Sequence, residues 1–185
     1  MKSSDPSTPT RAEQKAQTRQ RILKEAARLF REQGYAATGV DAIMEAAGLT
    51  AGGFYAHFKS KDDLLEHTLS EALDQSWNRL TAGLEGAPAE KRAQLLARYL
   101  SPQHRDNPGV GCPLVGIAAE LTHHSEKTAA LVARHLERLA GAMGRLGIPR
   151  EQALGEFSKA VGALLLARLV RGQTLSDEIL RQGRR

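Results

Sequence analysis

Residues 38–65 read TGVDAIMEAAGLTAGGFYAHFKSKDDLL, and the spacing within them decides the fold. Thr38-Gly39-Val40-Asp41 fits a capping box, in which a hydroxyl residue and an acid three positions later hold the first turn of a helix. That helix runs through Ile43, Ala46 and Ala47, and Gly48 ends it, since glycine enters a left-handed backbone at no steric cost. Leu49 bridges to Thr50, a second N-cap, which starts Ala51-Gly52-Gly53-Phe54-Tyr55-Ala56-His57-Phe58. Ser60-Lys61-Asp62-Asp63 then opens a long helix through Leu64, Leu65, Leu69, Leu73 and Trp77 to about Leu84. Two short helices joined by a glycine turn, with Ile43, Leu49 and Phe54 placed to pack between them, have the shape of a helix-turn-helix.

The second of these helices is odd for a purely structural element. Two adjacent glycines cost roughly 1 kcal/mol each in a helix interior relative to alanine. Tyr55 and His57 also fall on its outer side, where a solvated face does not require them. On a functional reading, Gly52 and Gly53 let the backbone approach base edges in the major groove, while Tyr55 and His57 bond phosphates or touch thymine methyls. Thr38 and Thr50, at helix N-termini, present hydroxyl and N–H groups to phosphates. The alternative is a three-helix bundle with one weak helix and Tyr55 as a core aromatic.

Working outward, residues 1–16 are polar and are read as a flexible basic arm, with the helical pattern beginning at Thr18. Ile22, Leu23, Ala26, Ala27, Leu29 and Phe30 recur at helical spacing up to Gly34. This divides the chain into a DNA-binding unit over 17–62 and a helical unit over 63–185. In the latter, Gly86-Ala87-Pro88 precedes a helix over Ala89–Leu100, and Ser101–Gly111 reads as a loop. Cys112-Pro113 begins a helix to about His123; Ser125–Gly147 and Arg150–Arg171 are long helices, and Leu175–Arg181 closes the chain. No stretch alternates as a strand would, so the fold expected is all-α with about nine or ten helices. Aromatics at 4% agree with this, because sheets favour aromatic and β-branched residues.

Composition narrows the partners. Residues 1–60 carry nine Lys/Arg against six Asp/Glu, whereas the rest carries seventeen against fifteen, so the basic excess is denser where the helix-turn-helix lies. That bias suits a phosphate-facing module. No apolar run reaches the roughly 18 residues of a membrane span, and the first residues lack the apolar core of a secretory signal. Together with a single cysteine, Cys112, this points to a reduced, cytoplasmic protein that needs no disulfide.

The stretch Thr18-Arg19-Gln20-Arg21-Ile22-Leu23, followed by Ala26, Ala27, Leu29, Phe30, Gly34, Tyr35, Thr38 and Val40, resembles the start of the TetR family of repressors. So do Ala46-Ala47-Gly48-Leu49-Thr50 and Gly53-Phe54-Tyr55-Ala56-His57-Phe58-Lys59-Ser60-Lys61, and the likeness covers residues 18–65. The segment Val161–Arg168 with Leu175-Ser176-Asp177 resembles the last helices of AcrR-like members. The resemblance implies a TetR-like fold and a homodimer on palindromic double-stranded operator DNA, released by an unidentified small-molecule effector. It implies phosphate contacts from Tyr55, His57 and Lys61, with Thr38, Val40 and Thr50 flanking the backbone and Ala51, Gly52 and Gly53 at the groove. Where many relatives place Lys or longer side chains, this chain has Ala51-Gly52-Gly53, so base readout leans on Tyr55, van der Waals contact and DNA shape.

The dimer seam expected from the resemblance is the last two long helices, with Ala160, Ala163, Leu164 and Ala167 allowing close approach; the same stripe could instead face its own core. Cys112, ahead of Pro113, is expected at a helix N-cap, where the dipole lowers a thiol pKa and favours an electrophile or redox sensor. Its other reading is a small buried hydrophobe. Trp77, Tyr99, His104 and Glu120 complete the candidate effector-binding set. Arg98, Arg105 and Asp106 either join them or simply cap and solvate helices. Histidines 104, 123, 124 and 135 lack metal-ligand spacing, so no metal and no cofactor are expected. An enzyme using the helical cavity is disfavoured because no phosphate loop, nucleophile–base pattern or metal motif is present. A structural DNA binder is disfavoured by the length of chain beyond the helix-turn-helix.

Overall fold

Thr10 begins the first helix earlier than its apolar pattern does. In the computed structural model, which describes residues 9–185, helix α1 spans Arg11–Gln33. The Thr10 hydroxyl accepts the Glu13 N–H at 3.2 Å, and the Glu13 carboxylate accepts the Thr10 N–H at 2.6 Å. This reciprocal box carries the helix through residues 11–16, which were expected in the arm; residues 1–8 of that arm lie outside the described residues. At the other end Gly34, at φ 88°, donates its N–H to the Phe30 carbonyl at 3.0 Å and turns the chain out.

Helix α2 spans Val40–Ala46, and a six-residue 3-10 helix, Ala51–Ala56, follows. Between them Gly48 takes φ 69°, the left-handed turn that the spacing required. Helix α3, Lys61–Thr81, is capped by the Ser60 hydroxyl, which accepts the Asp63 N–H at 3.0 Å. Helices α4 (Pro88–Tyr99), α5 (Pro102–Asp106), α6 (Pro113–Leu121), α7 (Glu126–Gly144), α8 (Arg150–Leu169) and α9 (Thr174–Gly183) complete the chain. The segment 101–111, expected as loop, holds the single-turn α5 and a short 3-10 turn at Pro108–Val110. Prolines at the first helical position explain both, since a missing N–H costs nothing there. The described residues contain no strand, so the all-α expectation holds.

One apolar core runs through the molecule. Ile22, Leu23, Ala26 and Phe30 of α1 join Ile43 and Met44 of α2, Phe54 and Phe58 of the helix-turn-helix, and Leu64, Leu65, Leu69 and Leu73 of α3. The same cluster continues into Leu96, Tyr99, Leu100, Cys112, Leu164 and Leu180. A smaller cluster, Leu139, Ala140, Met143, Ile148 and Ala153, closes the α7–α8 hairpin around Trp77. The division expected at residues 62 and 63 falls in the first turn of α3, a helix that packs in both parts. No helix among the described residues is long and apolar enough to cross a membrane, and none of their His, Cys, Asp or Glu side chains group as a metal site would require.

Candidate nucleic-acid interface

The helix-turn-helix is held from beneath by aromatic packing. Phe54 and Phe58 are buried with ring centroids 5.8 Å apart, and Met44 closes over Gly53. Above them Tyr55 is 76% exposed, its ring edge-on to Phe54 at 5.2 Å. Thr50, Ala51 and Gly52 lie exposed beside it. A Cβ added at Gly52 would meet nothing within 4 Å, and one at Gly53 would rest 3.5 Å from the Met44 methyl, an ordinary contact. Neither glycine has a positive φ. The fold therefore requires neither of them, although each costs backbone entropy.

Positive charge reaches this surface from α1, a contribution the motif alone does not reveal. Arg19 donates to the His57 carbonyl at 2.7 Å, and its guanidinium lies 4.1 Å above the Phe58 ring. Burial, then the nearby Lys15 and Arg19 cations, hold the His57 imidazole below its ordinary pKa, so it is neutral at pH 7. The signal for Arg19 was present as a basic residue on α1, but 38 positions separate it from His57 and only the packing joins them. Lys61 opens α3 with its ammonium 4.1 Å from the Tyr35 ring centroid, a cation–π contact. Val40 is half-buried against the core rather than standing clear of it.

Thr38 departs from its expected role. It is fully buried, and its hydroxyl donates to the Gly34 carbonyl at 2.6 Å, so Gly39, without a side-chain bond, stands at the α2 N-cap. A hydroxyl spent on closing the α1 terminus is not available to a phosphate. Glu120 also departs from its expected place. Its carboxylate accepts the Tyr35 N–H at 3.0 Å and the Ala36 N–H at 2.6 Å, pinning α6 to the turn between α1 and α2. Beside that pin the Tyr35 hydroxyl donates to Asp62.

Of the other effector candidates, Tyr99 and His104 gather with Cys112 at the start of α6, while Trp77 lies against the α7–α8 hairpin. Cys112 is the N-cap, as its neighbour Pro113 implied, but it is only 4% exposed. The Leu114 and Val115 N–H groups and the Tyr99 hydroxyl beside it favour the thiolate, yet burial outweighs them and pushes the thiol pKa up. The exposed, activated thiolate expected for a sensor is absent; desolvation of the charged form defeats the helix terminus. His104 accepts the Cys112 N–H through Nε2 at 3.0 Å, so Nδ1 carries the proton and donates to the Tyr99 carbonyl at 2.7 Å. Burial pushes its pKa down to about 4. Trp77 and Tyr99 line a crevice with Leu95, Met143 and Phe157 whose open volume, about 30 Å³, is that of a single water.

Three of the four expected interface residues face inward: Ala160, Leu164 and Ala167 are buried in the chain's own core, and Ala163 is half-buried. The outward face of α8 carries Leu165, Leu166 and Leu169 instead, with Leu175 of α9 nearby in sequence and also exposed. The stretch Ala160–Ala167 of this helix is apolar all round, so periodicity could not tell the inner stripe from the outer one.

Comparison with known proteins agrees with this arrangement. A family model described as bacterial regulatory proteins, tetR family, matches residues 22–68. The chain is 37% identical over 103 residues to the HTH-type transcriptional repressor KstR2 of Mycolicibacterium smegmatis, a match covering 54% of this chain and 49% of that protein. It is 28% identical over 179 residues to an HTH-type transcriptional regulator of Mycobacterium tuberculosis, covering 89% of this chain and 91% of the other. In three dimensions it resembles a TetR transcriptional regulator from Chloroflexus aurantiacus, with TM-score 0.78 and 26% identity over 92% of this chain and 94% of that one. The matched segment spans about half, or less, of the first curated relatives. With its aromatic floor and the helical body behind it in place, the segment 22–68 carries the DNA-binding region of the tetR family of bacterial regulatory proteins, and the chain has the fold of a TetR transcriptional regulator.

Proposed function

We propose that the protein is a transcriptional repressor that binds a palindromic operator as a homodimer and is released by a small-molecule effector held in its helical domain. The observation that carries the DNA-binding part is the bare Gly52–Gly53 surface beside exposed Tyr55. Glycines that neither packing nor backbone geometry needs are explained by a duplex that must come close. Tyr55 then supplies contact to the bases or phosphates, while Arg19, Lys59 and Lys61 supply the charge that phosphates attract. The apolar outer face of α8 supports dimerisation, because a single helix-turn-helix makes few base contacts and covering the exposed parts of Leu165, Leu166 and Leu169 gains about 25 cal/mol for each Å² removed from water. The Trp77–Tyr99–Phe157 crevice supports an effector site that opens by side-chain movement, its walls being aromatic and apolar. The repressors among the relatives favour repression over activation.

Selection of duplexes from a random pool, followed by fluorescence anisotropy on the enriched sequence, tests this reading. An inverted repeat is expected, with binding that falls steeply as salt rises. Tyr55→Ala should weaken that complex by about 1–3 kcal/mol and leave the dimer intact. Unaltered binding by the variant would remove this surface from the DNA.

A further inference from the structure

A second cavity, larger and more charged than the aromatic crevice, lies between α1 and α3 where the 108–110 turn closes one end. It is half-open, has a volume of about 410 Å³, and falls within the roughly 300–1,000 Å³ range of small-molecule sites. Its apolar walls include Leu23, Ala27, Ala72 and Val110. Five basic side chains line it against two acids, and one of those acids, Glu25, is already paired with Arg28 at 2.9 Å.

Arg31, on the wall of this cavity, is only 7% exposed. Its Nε donates to the Gly109 carbonyl at 2.8 Å, but Nη1 is buried without a partner. No carboxylate among the described residues pairs with it. Burial and the nearby Arg79 cation bring its pKa down to about 10, which still leaves it charged at neutral pH. Thr68, across the same cavity on α3, also keeps a buried hydroxyl oxygen with no partner. Buried charges in folded proteins are ordinarily paired, because an isolated one bears a desolvation cost of several kcal/mol. Here the stronger neighbouring charge is another cation, Arg79, and the Glu32 carboxylate that also acts on Arg31 is already paired with Arg28 at 2.7 Å. The missing element is an anion.

We propose that the α1–α3 cleft is a binding site for a small organic carboxylate, held by Arg31 and Arg79 with its apolar part against Leu23, Ala27 and Ala72. A guanidinium takes a carboxylate through paired N–H donors, and the apolar walls select an organic anion over an inorganic one. The site is separate from the crevice at Trp77 and Tyr99, and it stands whether or not the chain dimerises on DNA. Its walls belong to the helix-turn-helix unit and the helical unit together, so an occupant bridges the two.

Isothermal titration of the full chain with benzoate, benzyl alcohol and inorganic phosphate tests the proposal. Benzoate is expected to bind saturably at one site per chain, and the neutral alcohol and the phosphate at least tenfold more weakly. Arg31→Met should abolish benzoate binding, and Arg79→Gln, which alters an exposed side chain, should raise Kd several-fold. If Arg31→Met does not fold by circular dichroism, Arg79→Gln with Thr68→Val decides. Absence of saturable benzoate binding, or equal affinity for the alcohol or for phosphate, would overturn the proposal. So would benzoate affinity unchanged in the folded variants, which would place the ligand in another pocket.

Discussion

Gly52 is the residue at which stability and function pull apart most plainly. Its missing side chain leaves empty space, and its φ suits any residue. Gly52→Ala should therefore stabilise the free protein by about 0.5–1 kcal/mol in urea denaturation, through reduced entropy of the unfolded chain. On the proposed reading the same methyl would stand between backbone and duplex, so operator affinity should fall in a parallel anisotropy titration. A variant that gained stability and kept full affinity would count against close approach at this position. Cys112 makes the opposite case, a residue whose chemistry burial suppresses. Iodoacetamide at neutral pH should alkylate it far more slowly in the folded protein than in 6 M guanidinium, with intact mass as the readout. Labelling at the denatured rate would restore the thiol-switch reading.

At the scale of elements, α8 shows how one helix presents two apolar faces. Ala160, Leu164 and Ala167 recur at helical spacing and fill the chain's own core, while Leu165, Leu166 and Leu169 point away from it. A charge on the inner stripe would test the fold and say nothing of assembly. A charge on the outer one tests assembly alone. Leu169→Glu, at a side chain 73% exposed in the single chain, should leave the unfolding free energy of the monomer within about 0.5 kcal/mol. It should convert the dimer to monomer in sedimentation velocity, since the buried seam would then hold an unpaired carboxylate. A dimer that survives would move the seam elsewhere. Glu120 connects α6 to the helix-turn-helix unit, its carboxylate accepting the N–H groups of Tyr35 and Ala36.

Across the whole molecule, pH exposes the buried histidines. His104 has its pKa pushed down to about 4, and burial lowers those of His57 and His135 as well. An unfolded histidine binds its proton near pH 6.5, so between that value and about 4 the unfolded chain carries more protons than the folded one. Stability is therefore full above about pH 6.5 and falls as the pH drops toward 4. His104 alone accounts for about 3 kcal/mol of that fall. Thermal denaturation from pH 7 to pH 4.5 should show the decline, and His104→Gln should flatten it. An unchanged slope in the variant would assign the decline to other groups. Carboxylates held low by arginine, such as Asp106 and Glu156, enter only at lower pH.

The sequence by itself determined the long helices, the turn at Gly48, the inward place of Phe54 and the likeness of residues 18–65 to the TetR family. Those features rest on short-range physics: capping hydroxyls, the left-handed freedom of glycine and apolar spacing are all written within a few residues of where they act. Even the N-cap position of Cys112 followed from the proline after it. What only the tertiary structure decided was which way a correctly placed residue faces and what surrounds it. Thr38 became a buried cap on Gly34, Cys112 lost its thiolate to desolvation, and the Ala160–Leu164–Ala167 stripe of α8 turned into the chain's own core. Arg19 reached His57, and Arg31 was left without an anion, through contacts between segments far apart in the chain. Burial and electrostatic pairing depend on every element packed around a group, and spacing along a single helix carries none of that information.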